Sequence, residues 1–135
     1  MALVRNATIT ELVAGDDFEY VVTIQNVPSG LTLTKAWMTV KVRATDADSA
    51  AVVQKLITTT NVPGTGQITD TGADGTGQLR FDWPPADTIK LSPRRRYAFD
   101  VQVQLSDNRI YTVEIGDPTI GGGILPIQAV TDATA

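Results

Sequence analysis

The chain has 135 residues, 42% of them hydrophobic and 19% charged, which is enough for one domain with a core of its own. It contains no cysteine and no histidine, so disulfide frameworks, thiolate metal sites and histidine-activated nucleophiles are excluded. The formal net charge of -4 disfavours nucleic-acid binding. No stretch approaches the roughly 20 apolar residues of a membrane span. We therefore expect no cofactor, no nucleic-acid partner and no membrane partner.

Alternating apolar residues in the first half of the chain predict half-buried strands. Residues 1–14 are interpreted as a first strand over Leu3–Leu12 or as an extended N-terminal arm. Alternation then runs over Phe18–Gln25 and again over Ala36–Arg43. Val52–Thr59 is a further strand candidate with less distinct faces, as expected of an edge strand. The N-terminal segment lacks a charged leader followed by a long apolar run, so we expect no signal peptide.

The middle of the chain is the least regular part. Asn61–Gly77 holds Pro63 and five glycines, and we interpret it as a long loop or a flexible hairpin tip. Gln78–Trp83 alternates again and predicts a strand. Pro84-Pro85 ends it, because proline cannot donate to a β-ladder.

The clearest period of two runs over Arg95–Leu105, followed by a turn and a returning strand up to Ile115. This pattern predicts one face in the core and the other in water or against a partner. Tyr97 stands where a tyrosine corner would place it, with its hydroxyl fixing the preceding crossover. The residues to which we assign a structural role are Tyr97, Phe99, Val101, Val103 and Trp83.

The composition changes again after residue 116. Gly121-Gly122-Gly123 precedes the apolar run Ile124–Val130. A glycine hinge before a short apolar segment suits an arm that docks on a neighbour, whereas a final strand of the same sheet fits the pattern equally well. The arm interpretation predicts that deleting the residues after Gly121 leaves a folded monomer. The predicted interface residues are Ile124, Leu125, Ile127, Val130, Leu3, Val4 and Trp37.

About seven strands, frequent turn signals and no convincing amphipathic helix predict an all-β fold, with a β-sandwich favoured. A β-barrel stays open, because strand count alone does not separate the two. We assign residues 1–116 to the sandwich and residues 117–135 to the C-terminal arm or final strand.

One string is similar to a catalytic motif. Asp70-Thr71-Gly72-Ala73 resembles the signature of retroviral-type aspartic proteases, in which one aspartate from each of two chains forms the catalytic pair. That family places an apolar strand directly before the aspartate, whereas Gln67-Ile68-Thr69 precedes it here. Aligned as a calcium loop, the same stretch lacks the bidentate acid. We favour a flexible polar loop, and we expect neither enzymatic activity nor a metal site.

Trp37 also supports a second functional hypothesis. Together with the loop Asn61–Gly77 it would form a platform for a host-surface glycan, because sugar rings stack on exposed aromatic faces. The alternative is that an exposed tryptophan marks a protein interface.

A family resemblance covers Gly15–Ile115. It is carried by the strings Gly15-Asp16-Asp17-Phe18, Gly77-Gln78-Leu79-Arg80-Phe81, Ala86-Asp87-Thr88-Ile89-Lys90-Leu91-Ser92-Pro93 and Tyr97-Ala98-Phe99-Asp100-Val101-Gln102. These strings are similar to small immunoglobulin-like structural proteins of tailed bacteriophages, related to the N-terminal domain of siphophage upper baseplate proteins. Arg94 departs from that pattern, in which a glycine usually follows the proline.

The resemblance implies an immunoglobulin-like antiparallel β-sandwich of about seven strands with a C-terminal extended arm. It also implies a virion structural protein, made in the host cytoplasm, that contacts other virion proteins and copies of itself. Capsid decoration or cement is the favoured role, and a neck, tail or baseplate component is a close second. The expected partners are accordingly the major capsid protein or a neck, tail or baseplate protein.

Overall fold

A computed structural model describes residues 5–130, and strands form most of its regular structure. The strands are β1 (Arg5–Asn6), β2 (Thr8–Ile9), β3 (Phe18–Ile24), β4 (Leu33–Lys41), β5 (Val53–Ile57), β6 (Gly66–Thr71), β7 (Gly77–Trp83), β8 (Ala98–Leu105), β9 (Ile110–Gly116) and β10 (Gly123–Ile124). One short helix, α1 (Pro85–Thr88), follows β7. Single 3-10 turns span Asp48–Ala50 and Pro118–Ile120.

The strands form two main sheets that enclose one core. The large sheet has the order β1-β9-β8-β4-β5, and the small sheet has the order β3-β7-β6. The longer strands pair antiparallel, whereas β1 joins β9 and β2 joins β10 in parallel. The predicted all-β sandwich is confirmed, and the strands form separate sheets instead of one closed barrel.

Alternation along the strands decides what the core contains. In β8 the odd-numbered residues from 99 to 105 are buried, because successive side chains point to opposite faces of a sheet. The five residues assigned a structural role, Tyr97, Phe99, Val101, Val103 and Trp83, are all buried. They join aliphatic side chains from both sheets in a single cluster.

Tyr97 fixes the crossover that joins the two sheets. Its hydroxyl accepts a hydrogen bond from the Ser92 backbone N–H at 2.8 Å, as the tyrosine-corner interpretation predicted. The crossover therefore has a fixed path from α1 to the start of β8.

Of the two interpretations of Asn61–Gly77, the long loop is wrong for the second half, whereas the hairpin tip agrees with the turn between two paired strands. Residues Gly66–Thr71 form β6, which pairs antiparallel with β7 through a tight turn. Gly66 has φ +131°, and a Cβ there would clash with the Arg80 carbonyl oxygen. The glycine that suggested a loop is therefore required for close strand pairing.

The N-terminal segment is two short strands instead of one long strand. β1 pairs with β9 in the large sheet, whereas β2 pairs with β10. Ile9 and Leu12 are buried and belong to the core. Leu3 and Val4 lie outside the described residues.

The C-terminal segment packs on its own chain. Ile124 is fully buried, and its N–H and C=O exchange hydrogen bonds with Tyr97 at 2.9 and 3.0 Å. Ile127 donates to the Leu12 carbonyl at 2.9 Å and accepts from the Ala14 N–H at 2.9 Å. Residues 117–130 thus pack on their own chain, but β10 is not a final strand of either main sheet, since it pairs with β2 in a two-stranded sheet of its own.

Two glycines at the start of this segment, Gly122 and Gly123, permit close packing. A Cβ at Gly122 would clash with the Asn6 side chain, and one at Gly123 would clash with the Tyr97 carbonyl oxygen. Gly123 also has φ +100°, which favours glycine. Gly122 and Gly123, two of the three glycines that predicted a hinge, thus lie in a contact in which side chains have no room, whereas Gly121 lies in open space.

Candidate interaction surfaces

The outer face of the large sheet carries a groove of 420 Å³, which we call the outer groove. Its floor consists of outward-facing residues from adjacent strands, and one wall comes from the segment after β4. The residues that matter for its chemistry are Trp37, Thr39, Lys41, Gln54, Asp100 and Gln102.

Strand register places these residues in rows. Trp37 on β4 pairs with Leu56 on β5 and with Gln102 on β8. Thr39, two residues along, pairs with Gln54 and Asp100. Directly opposite residues of antiparallel strands share a face, so the rows form one continuous surface. Trp37 is half-buried in its centre, and Leu56 beside it is 47% exposed.

Two glutamine side chains in the outer groove are held by threonines. Gln54 Nε2 donates to Thr39 Oγ1 at 3.0 Å, and Gln102 Nε2 donates to Thr112 Oγ1 at 3.2 Å. Each amide donates one N–H to its threonine. The amide oxygen and the second N–H remain for a ligand, because a primary amide carries two donors and one acceptor.

The charged groups lie at one end of the outer groove. Lys41 Nζ lies 2.8 Å from Asp48 Oδ1 and also donates to the Asp46 carbonyl at 2.8 Å. Burial raises the pKa of Asp100, nearby Lys41 opposes that shift, and Asp48 adds to it. The lining thus holds two carboxyls and one ammonium that is already paired.

The predicted C-terminal interface residues divide into buried and exposed ones. Ile124 is in the core of its own chain and Leu125 is half-buried. Ile127 is 44% exposed and Val130 is fully exposed. Trp37 lies on the outer face of the large sheet, and none of these C-terminal residues lines the outer groove with it. Leu3 and Val4, predicted to join them, fall in the part of the chain that is not described.

Asp70 sits at the exposed end of β6. Its Oδ1 accepts a hydrogen bond from the Gly72 N–H at 2.9 Å, which is the usual role of an aspartate that begins a turn. Between residues 5 and 130 no group of three histidine, cysteine or acidic side chains is placed to hold a metal ion.

The two parts of the glycan hypothesis are on different sheets. Trp37 belongs to β4 of the large sheet, whereas Asn61–Gly77 contains β6 of the small sheet. Trp83, the other tryptophan, is buried, and its indole N–H has no hydrogen-bond partner within the described chain. A sugar platform made from Trp37 and that loop is therefore not assembled.

A buried ion pair was not predicted. Lys55 is only 7% exposed, and its Nζ lies 2.5 Å from Asp87 Oδ2 and 2.9 Å from the Gly64 carbonyl oxygen. The ammonium also lies 5.8 Å from the centre of the Trp83 ring. The signal was present in the sequence, since Lys55 shares the period of two with Val53 and Ile57.

A buried glutamate also escaped prediction. Glu114 lies inside the sandwich and accepts a hydrogen bond from the Tyr20 hydroxyl. The register between β8 and β9 shifts between Val101 and Gln102, which turns Glu114 toward the core. Simple alternation along β9 does not reveal such a bulge.

No protein-family model matches the chain, and no curated protein matches it. Among residues 5–130 there is no helix long and apolar enough to cross a membrane. The surfaces described above are thus the observations that bear on function.

Proposed function

We propose that the chain is a non-catalytic structural component of a tailed-phage virion, acting through protein–protein contacts. One observation carries the proposal. Backbone hydrogen bonds hold the C-terminal segment to the sandwich as far as Ile127, yet Ile120 and Ile127 present large apolar side chains to solvent, and Val130 is exposed just beyond the last of these bonds. Apolar side chains in a fixed, exposed position are suited to contact another protein.

The strand order supports an immunoglobulin-like assignment. β9-β8-β4-β5 facing β3-β7-β6 has the order that immunoglobulin variable domains give to strands G-F-C-C′ and B-E-D. The hydrogen bond from the Ser92 N–H to the Tyr97 hydroxyl is the tyrosine corner of that fold class. Both features agree with the resemblance to small phage structural proteins.

Capsid decoration or cement is the role we favour, with a neck, tail or baseplate position next. The exposed apolar residues are few, so one contact of this kind is weak. Many identical copies on a symmetric particle convert weak contacts into stable attachment. The partners are then the major capsid protein, or a neck, tail or baseplate protein, and neighbouring copies of the chain.

The test is incorporation into particles. Phage in which this gene is interrupted would be complemented with wild-type protein or with the double variant Ile127→Asp and Val130→Asp. We expect wild-type protein in purified virions and at least about tenfold less of the double variant, because carboxylates cannot be buried in an apolar contact. Protein in the virion fraction is measured by quantitative mass spectrometry.

Val21→Asp is the control, because Val21 is 47% exposed, close to the 44% of Ile127, but lies on the outer face of the small sheet. It should enter particles normally. Absence of the wild-type protein from virions contradicts the proposed function. Normal incorporation of the double variant contradicts only the C-terminal contact.

A further inference from the structure

The outer groove has the chemistry of a sugar-binding site. Its volume of 420 Å³ falls within the range of about 300–1,000 Å³ that small-molecule sites occupy. Its lining combines the half-buried indole of Trp37 with amides, a hydroxyl, two carboxyls and one paired ammonium. From this combination we infer that the outer groove binds a neutral oligosaccharide.

Trp37 provides the apolar part of the site. A sugar ring has an apolar C–H face on one side and hydroxyl groups around its edge, so it needs a flat aromatic surface with polar groups beside it. The register places Gln102 directly beside Trp37 on β8, and Gln54 lies one row away on β5. These polar groups are where the hydroxyls of a stacked ring would point.

The glutamines are oriented before any ligand arrives. Their hydrogen bonds to Thr39 and Thr112 restrict the rotamers of both amides. Less side-chain entropy is then lost on binding, which favours a weakly bonding ligand such as a sugar. Each fixed amide offers an acceptor and a donor to neighbouring hydroxyls, which themselves donate and accept.

The charges select a neutral ligand. Asp48 and Asp100 line the outer groove, and the ammonium of Lys41 is occupied by Asp48 and by the Asp46 carbonyl. A carboxylate or sulfate on the ligand would meet two carboxylates and an ammonium already paired with one of them, so acidic sugars and phosphates are disfavoured. The half-buried Asp100 carboxylate would instead accept hydrogen bonds from sugar hydroxyls.

This inference does not depend on the virion proposal, and a different measurement tests it. Purified full-length protein would be titrated with neutral oligosaccharides of glucose, galactose, mannose and N-acetylglucosamine, and with sialylated and uronic-acid oligosaccharides. Binding is followed by calorimetry and by amide chemical shifts. At least one neutral series should bind with Kd below about 10 mM, and the acidic series should bind more weakly.

Variants locate the binding. Trp37→Ala and Gln102→Ala should each weaken binding at least about tenfold. Leu56→Ala is the matched control, because Leu56 is an exposed neighbour of Trp37 on the same face but does not line the outer groove. It should bind sugar as the wild type does. Gln102→Ala keeps the test valid if Trp37→Ala does not fold.

Three results would overturn the inference. The first is that no neutral series binds, or that the acidic series binds better. The second is undiminished binding by folded Gln102→Ala. The third is that Leu56→Ala weakens sugar binding as much as Trp37→Ala does, since binding would then not depend on the residues that line the outer groove. Failure of the sugar test with normal particle incorporation of the Trp37 and Gln102 variants would leave the virion proposal intact.

Discussion

Asp100 is a carboxyl whose charged form is disfavoured by the fold. Desolvation raises its pKa, and the attraction of Lys41 only partly compensates. Between the ordinary pKa of such a carboxyl and its raised pKa in the folded chain, the folded chain binds more protons than the unfolded chain does. The free energy of unfolding therefore falls as the pH rises through that interval.

We accordingly predict that Asp100→Asn stabilises the protein at neutral pH. The melting temperature of the variant should exceed that of the wild type at about pH 7, and the difference should vanish below the ordinary aspartate pKa of 3.8. Calorimetric melting over a series of pH values measures it. If Asp100 contacts sugar, the same variant gains stability and loses affinity.

Asp117 serves as a control, because its pKa is shifted in the opposite direction. The N–H and hydroxyl of Thr119 both donate to Asp117 Oδ1, and these bonds lower its pKa. Its contribution to stability is present above the ordinary pKa and is lost as the pH falls through the lowered one. Asp117→Asn should lower the melting temperature slightly at neutral pH. If Asp100→Asn and Asp117→Asn shift the melting temperature equally and in the same direction, this account is contradicted.

At Gly66 the pairing of β6 with β7 depends on the residue having a hydrogen in place of a side chain. Its positive φ and the nearby Arg80 carbonyl leave no room for a Cβ. Gly30 also has positive φ, yet nothing lies within 4 Å of its Cβ position.

The contrast between these glycines predicts two different losses of stability. Gly30→Ala should cost about 1–2 kcal/mol, from the left-handed conformation alone. Gly66→Ala should cost clearly more, about 3–4 kcal/mol, because overpacking against the backbone is added to the strain. Urea denaturation measures both. Losses of similar size would show that β6 shifts freely to make space.

At the scale of elements, the C-terminal segment is part of the fold. β10 brings Ile124 into the core and extends the hydrogen bonding of β2. The earlier expectation that the chain folds without the residues after Gly121 does not follow from this geometry. An isoleucine buried completely contributes about 1.5–3 kcal/mol, and each backbone hydrogen bond contributes about 1 kcal/mol more.

Deletion of the residues after Gly121 removes Ile124 and several backbone hydrogen bonds, so it is predicted to destabilise the protein by at least about 5 kcal/mol. Deletion after Ala129 is the control. It removes the exposed Val130 and keeps the hydrogen bonds of Ile127, so stability should change by less than about 0.5 kcal/mol. Denaturant melts of both truncations test this. A first truncation as stable as the second would mean that the segment docks without adding to the core.

For the whole molecule, the core makes the chain one cooperative unit. Side chains from both sheets and from the C-terminal segment belong to a single cluster. Lys55, at the edge of the large sheet, reaches Asp87 on α1 and the backbone at Gly64 before β6. The two sheets are thus joined by packing, by the crossover and by a buried ion pair.

This arrangement predicts a single unfolding transition. Far-ultraviolet dichroism reports strands, and the fluorescence of buried Trp83 reports the core. Both should give the same midpoint and the same denaturant slope. Trp37→Phe isolates the signal of Trp83. Separate midpoints would mean that residues 117–130 or one sheet unfold independently.

The sequence by itself determined the features of this protein that depend on residues close together along the chain. Alternation along β3, β4, β7 and β8 identified the strands and the core residues, because it reflects only which face of each strand is buried. Tyr97 carried a recognisable role because its hydroxyl acts within a few residues along the chain.

Tertiary structure alone decided the rest. The outer groove joins Trp37, Gln54 and Asp100 from three strands, and only the register between those strands places them together. The bulge that buries Glu114 and the lack of space around Gly66 and Gly123 are likewise properties of paired backbones. Such contacts depend on residues far apart in sequence, so no local pattern specifies them.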